Sequence, residues 1–199
     1  MQRVKAFFDD IDGRWTGPPG EIIELRLIGS TALMVLTDYD RGTKDSDVLE
    51  TVAIIGATKT RLLELAGQET ALHRRHSMYL DIVDNGLPFL PHAPAYHAPQ
   101  ELNAGLGCFQ IKVLDVVDVV VSKLKRYSPS DREDIHAMIQ RGAVPRDDLI
   151  ARFRAAVDEF ACDARAVELP RYVTNLHQVE RDAYGGSETE IELPAWAEE

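Results

Sequence analysis

The 199-residue chain has only two cysteines, Cys108 and Cys162. Two unpatterned thiols exclude a disulfide-stapled scaffold and a Cys-x-x-Cys zinc or redox motif, and both are read as buried thiols. No apolar run reaches the roughly 18 residues a membrane span needs. Met1-Gln2-Arg3 leads to Asp9 and Asp10 rather than to a signal-peptide core, so a cytoplasmic chain with no membrane partner is expected. Positive charge is also scarce: 22 Lys and Arg against 33 Asp and Glu leave a formal net charge of -11. Counterion release requires clustered cations facing phosphates, so sequence-blind nucleic-acid binding over the whole surface is excluded and any such contact is local. What remains is an ordinary globular composition, 45% hydrophobic and 28% charged, long enough for one core with an appended helical part.

Periodicity supplies the order of elements. Val4, Phe7, Phe8 and Ile11 are spaced three and four apart, which predicts an amphipathic helix ending before the loop DGRWTGPPG. EIIELRLI reads as a strand, TALMVLTDY as a helix capped by Ser30-Thr31 and stopped near Gly42, and VLETVAII as a second strand. A helical stretch RLLELAGQETALHRR, a strand SMYLDIV, a Pro-rich loop GLPFLPHAPAYHAPQ and a strand CFQIKVL follow. From Asp115 the chain turns helical, through DVVDVVVSKLKR, SDREDIHAMIQRG, RDDLIARFRAAVDEFACD and RYVTNLHQVERDAY. The reading is an α+β core over residues 1–114, a helical part over 115–183, and an acidic tail over 184–199, read as flexible unless pinned at Trp196.

Two short stretches carry chemistry. Residues two apart on a strand share a face, so Asp45 and Asp47 project together and crowd two like charges into one volume. A cation relieves that repulsion, and hard carboxylate oxygens suit Mg²⁺ or Mn²⁺. Gly29-Ser30, at a strand-to-helix junction, permits close backbone approach and offers helix-start N–H groups to phosphate oxygens. Taken singly, the first pattern also reads as turn chemistry and the second as a plain helix cap. Other groups have open readings. Lys123 and Arg126 share a helical face or form a solvated basic edge. Ser130-x-x-Glu133 reads as a capping box at the helix that carries Asp131 and Asp134. His73, His76, His92 and His97 lack a cysteine or convergent acid for zinc. Arg74 and Arg75 could meet a phosphate or remain solvated.

IGSTAL followed by RGTKDSDV, and then DVVVSKLKRYSPSDREDI, resembles the nucleotidyltransferase superfamily of polymerase-β type, and more narrowly the bacterial branch that includes the abortive-infection toxins. The shared pattern is Gly-[Gly/Ser], then Arg-x-Thr-x-Asp-x-Asp (Arg41, Thr43, Asp45, Asp47), then Lys-x-x-Arg and Asp-x-x-Asp (Lys123, Arg126, Asp131, Asp134). The resemblance implies a mixed twisted sheet with flanking helices. It also implies Mg²⁺ or Mn²⁺ held by Asp45, Asp47 and a third carboxylate, and a nucleoside triphosphate bound by Gly29, Ser30, Arg41, Thr43, Lys123, Arg126 and Asp134. The best candidate for the third carboxylate is Asp81, because an unpaired acid inside an apolar strand is costly; the alternative is that it pairs with an arginine or lies on an open face, and Asp84 is the weaker choice. The expected function is transfer of a nucleoside monophosphate to a hydroxyl of RNA, protein or a small molecule, in a toxin–antitoxin setting if the branch resemblance extends to function. The alternative is a non-catalytic nucleotide- or partner-binding protein on the same fold. The amphipathic N-terminal helix and Trp196 would suit a homodimer.

Overall fold

The computed structural model describes residues 1–17, 20–39, 42, 44 and 45–194. The chain divides into two compact units, Met1–Leu87 with Tyr96–Asp115, and Pro88–Ala95 with Val116–Glu199.

The first unit is α+β. Among the described residues its sheet has the order β3-β2-β1-β5-β4, with β1 Ile23–Leu27, β2 Asp45–Leu49, β3 Tyr79–Val83, β4 Tyr96–His97 and β5 Phe109–Leu114. β1 is parallel to β5, β2 is parallel to β3, and β2 and β4 run antiparallel to β1 and β5 respectively. Helix α1 (Gln2–Arg14) buries Val4, Phe7, Phe8 and Ile11, the stripe its 3.6-residue period dictates. Its Asp12 carboxylate accepts from the backbone N–H groups of Gly107 (3.0 Å), Cys108 (2.8 Å) and Phe109 (3.2 Å), tying the helix to the start of β5. Helix α2 (Gly29–Thr37) buries Thr31 to Val35. The helical stretch after β2 is split into α3 (Gly56–Ala66) and α4 (Ala71–His76). The break falls at Gly67, where an added Cβ would lie 2.4 Å from the Leu63 carbonyl oxygen.

Several expectations change here. α2 ends at Thr37, with Asp38 in the left-handed conformation (φ 51°), short of Gly42. Its N-cap is Ile28, so neither Ser30 nor Thr31 caps it. β2 begins at Asp45 and stops at Leu49, earlier than the apolar run suggested, because parallel pairing with β3 covers Asp45 to Leu49 and not the residues beyond. The Pro-rich stretch contains strand β4 and leads into the short helix α5 (Gln100–Asn103). Asn103 completes that edge: its side chain accepts from Ile111 N–H (2.7 Å) and donates to Ile111 C=O (2.9 Å), on the part of β5 that the two-residue β4 leaves uncovered. Cys162 is exposed and Cys108 half-buried, so neither is the buried thiol expected.

The second unit holds α6 (Val116–Leu124), α7 (Pro129–Gln140), α8 (Arg146–Phe160) and α9 (Leu169–Val179), with a 3₁₀ turn Ala164–Glu168 and a π-helical turn Glu180–Tyr184. Phe89, from the Pro-rich stretch, is fully buried here, edge-on to Phe153 (5.3 Å) and Phe160 (5.1 Å) and against Tyr172 (5.1 Å). Buried carboxylates brace the unit. Asp118 receives two bonds of 2.6 Å from Arg152 and one of 2.7 Å from Ala95 N–H. Glu180 binds Arg146 (2.7 Å) and Thr189 (2.6 Å), while Arg154 and His177 bond the carbonyls of Glu190 and Thr189. Thr189 and Glu190 of the acidic segment thus bond to the helices of this unit; Trp196 lies outside the described residues. Asp118→Ala should destabilise the protein by about 2 to 4 kcal/mol in denaturant unfolding, because it strips a guanidinium and an N–H of their buried partner.

Candidate active site

The β1–β2 register decides where the aspartates sit. Arg26 pairs with Leu49 and Leu27 with Val48, and the Ile28 N–H donates to the Asp47 carbonyl at 2.9 Å. One step further β1 has ended and the chain has turned into α2, so Asp45 and Ser46 project past the carboxyl end of β1. Ser46 is buried and lies beside the Thr31 hydroxyl, which donates to the Asp45 carbonyl at 3.0 Å. Asp45 and Asp47 alternate to the other, half-exposed face. Ladders of this kind open a crevice at the carboxyl ends of strands.

Gly29 closes one side of that crevice. Its φ is +64°, and a Cβ built on it would meet Asp47 Oδ2 at 2.5 Å. Only glycine lets the first turn of α2 come this close to the carboxylate. Ser30 is half-buried beside it.

β3 brings the third acid. Parallel register pairs Asp47 with Asp81 and Asp45 with Tyr79, so all four side chains share one face, with neighbours on adjacent strands about 4.8 Å apart. Asp81 is exposed rather than embedded, because β3 alternates and buries Leu80 and Ile82 instead. No hydrogen bond or ion pair to Asp81 occurs among the described residues. The assignment to this face therefore stands on register and not on the burial that first suggested it. Asp84 is engaged by Lys59 (3.0 Å), which also binds Glu50.

Tyr79 is the residue that sequence reasoning missed. Burial, and then the charges of Asp45, Asp81 and Asp47, hold its phenol above the ordinary value, which places the ring in the field of all three carboxylates. The signal was available as the residue two before Asp81, since period two puts both on one face. Its ring stands edge-on to His73 at 4.9 Å, and His73 Nδ1 accepts from Glu69 N–H at 3.0 Å.

Among the described residues no three Asp, Glu, His or Cys side chains converge closely enough to chelate a metal as they stand. Three further histidines are engaged one by one: His76 with Asp10 (2.7 Å), His92 with Glu159 (3.0 Å) and His97 with Asp115 (2.8 Å). Arg75 also binds Asp10 (3.0 Å).

Lys123, Arg126 and Asp134 come together within the helical unit. The Lys123 ammonium is buried between Asp131 (3.0 Å) and Asp134 (2.8 Å). Arg126, 73% exposed, grips Asp131 through Nε (2.7 Å) and a second nitrogen (2.9 Å). Arg126 lies beyond the end of α6 at Leu124, so the two cations meet at Asp131 rather than along a helical face. The capping box is Ser128 with Asp131, not Ser130 with Glu133. Arg41 and Thr43 lie outside the described residues. A cavity of about 450 Å³ lined by Arg154, Asp158 and Ile191, and one of about 240 Å³ lined by Arg14, Trp15 and Arg61, involve none of the motif residues.

A mixed sheet with three carboxylates on one outward face, beside a Gly-Ser helix start, defines a nucleotidyltransferase-like protein. Residues 17–180 match the family described as nucleotidyltransferase of unknown function (DUF6036), and the chain belongs to it. The match reaches the superfamily and not the abortive-infection branch. Comparison with curated proteins and with solved structures returns no match.

Gly29→Ala should lower stability by roughly 1 to 3 kcal/mol, combining positive-φ strain with a clash against Asp47; denaturant unfolding measures it. Asp131 gives a pH signature. Burial would raise its pKa, but the bonds from Arg126 and Ser128 and the Lys123 charge hold it well below the usual carboxylate range. Its contribution is present above the unfolded value and is lost as pH falls through the lower folded one. The stability gap between wild type and Asp131→Asn should thus be flat from about pH 7 to 5 and shrink only in stronger acid.

Proposed function

We propose that the chain is a metal-dependent nucleotidyltransferase that moves a nucleoside monophosphate from a nucleoside triphosphate onto a hydroxyl of RNA, protein or a small molecule. The observation that supports it is the common face of Asp45, Asp47 and Asp81 beside the start of α2 at Gly29-Ser30. The donor set fits Mg²⁺ or Mn²⁺: all ligands are hard carboxylate oxygens. They stand about 4.8 Å apart across the strands and about 6.6 Å along β2, a span that Asp rotamers can draw in. Without a cation, mutual repulsion favours splayed side chains. When bound, the ion neutralises triphosphate charge and polarises the reacting phosphoryl group.

The chain's own residues would then divide the work. Asp45 and Asp47 hold and orient, and Asp81, engaged by no cation among the described residues, accepts the proton of the attacking hydroxyl as pyrophosphate leaves. The N–H groups at Gly29 and Ser30 face the phosphate oxygens. Lys123, Arg126 and Asp134, with Arg41 and Thr43, are assigned to nucleotide binding on the motif resemblance. A cytoplasmic, toxin-like role rests on that resemblance as well. The second reading is a non-catalytic nucleotide- or partner-binding protein on the same fold.

Calorimetry of each nucleoside triphosphate with Mg²⁺ or Mn²⁺ separates these readings from neither being right. Metal-dependent binding is expected in the wild type, weakened at least about 100-fold (roughly 2.7 kcal/mol) in Asp45→Ala/Asp47→Ala. No metal-dependent binding of any nucleotide by the wild type would overturn the proposal. Asp81→Asn should keep binding but abolish pyrophosphate release in an acceptor screen; a wild type that binds and never releases pyrophosphate leaves the non-catalytic reading.

A further inference from the structure

The crevice has a direction that the motifs do not state. Its phosphate-binding end is at Gly29-Ser30, against Asp47. Two residues back along β2, about 6.6 Å away, Asp45 stands beside Tyr79 on the neighbouring strand. A nucleotide whose β- and γ-phosphates face Gly29-Ser30, and whose α-phosphorus lies at the carboxylates, must carry its ribose and base away from Gly29. One route leads along β2 toward Tyr79. The ring there is half-exposed and is buttressed rather than loose. His73 packs edge-on at 4.9 Å, its own ring fixed by the Glu69 N–H bond to Nδ1, and its helix is capped by Thr70, whose hydroxyl accepts from His73 N–H at 3.1 Å.

We propose that Tyr79, backed by His73, is the surface on which the nucleobase of the bound nucleoside triphosphate rests. This deepens the nucleotidyltransferase reading and depends on it. Purines and pyrimidines both present a π-face, so an aromatic platform recognises the base as a class. It also accounts for an aromatic side chain among the acids of this strand face, since the buried positions of β3 are Leu80 and Ile82.

The test compares two probes that share the phosphates and differ in the base. Binding of the four common nucleoside triphosphates and of inorganic tripolyphosphate, each with Mn²⁺, is measured for wild type, Tyr79→Ala, Tyr79→Phe and Asp45→Ala/Asp47→Ala. The inference expects the wild type to prefer nucleotide over tripolyphosphate. Tyr79→Ala should lose about 10-fold or more of nucleotide affinity while keeping its tripolyphosphate affinity, and Tyr79→Phe should retain both. Wild-type nucleotide affinity in Tyr79→Ala overturns the inference and leaves the nucleotidyltransferase reading intact, as does a wild type that binds tripolyphosphate and nucleotides equally. Equal loss of both probes in Tyr79→Ala, or a Tyr79→Phe as weak as the alanine variant, also overturns it, pointing to damaged metal ligation or to the hydroxyl. A wild type that binds neither probe brings down the nucleotidyltransferase reading itself, together with this one.

Discussion

The approach of Gly29 to Asp47 is the contact around which the first unit is arranged. A strand that runs straight into a helix normally keeps the following strand's side chains at a distance set by the Cβ at the turn. Here the turn residue has none, and its positive φ swings the first turn of α2 against the carboxylate. The same junction lets Ile28 N–H reach the Asp47 carbonyl and the Thr31 hydroxyl reach that of Asp45. Backbone bonds thereby hold β2 past the end of β1, where its alternate residues open outward. Without the glycine geometry the start of α2 and the Asp47 carboxylate could not stand this close.

The two units treat their acids differently. In the helical unit Asp118, Asp131 and Glu180 are buried and each is matched by arginine or lysine, as buried charges must be. On the sheet face Asp81 is left in solvent with no ion pair among the described residues, close to two more carboxylates. An acidic chain does not need that crowding for solubility. That face, and not either cavity, brings the Asp45-x-Asp47 and Gly29-Ser30 motifs together.

Much of this was legible in residue patterns where one local period decides the outcome. Val4, Phe7, Phe8 and Ile11 specified a buried helical stripe, and SMYLDIV specified a strand where β3 lies. Gly29-Ser30 and Asp45-x-Asp47 stood out by their spacing, and the structure sets Gly29 against Asp47. Errors gathered where partners distant in sequence take over. The Pro-rich stretch was read as loop, yet Phe89 anchors the helical core and Tyr96-His97 pairs with β5. VLETVAII was read as strand by composition, whereas pairing placed the strand at Asp45–Leu49. Ser128, not Ser130, caps α7, since Pro129 fits the first helical turn.

By itself the sequence determined the alternation of elements, the buried stripes and the residue types of the site, because these follow from periods of 2 and 3.6 and from the chemistry of glycine and carboxylate. Tertiary structure alone decided that Asp81 stands beside Asp47, that Tyr79 stands beside Asp45, and that Lys123 is enclosed by Asp131 and Asp134. Those neighbours are set by strand register and helix packing, which bring together residues up to 34 positions apart by long-range backbone pairing that no local pattern encodes.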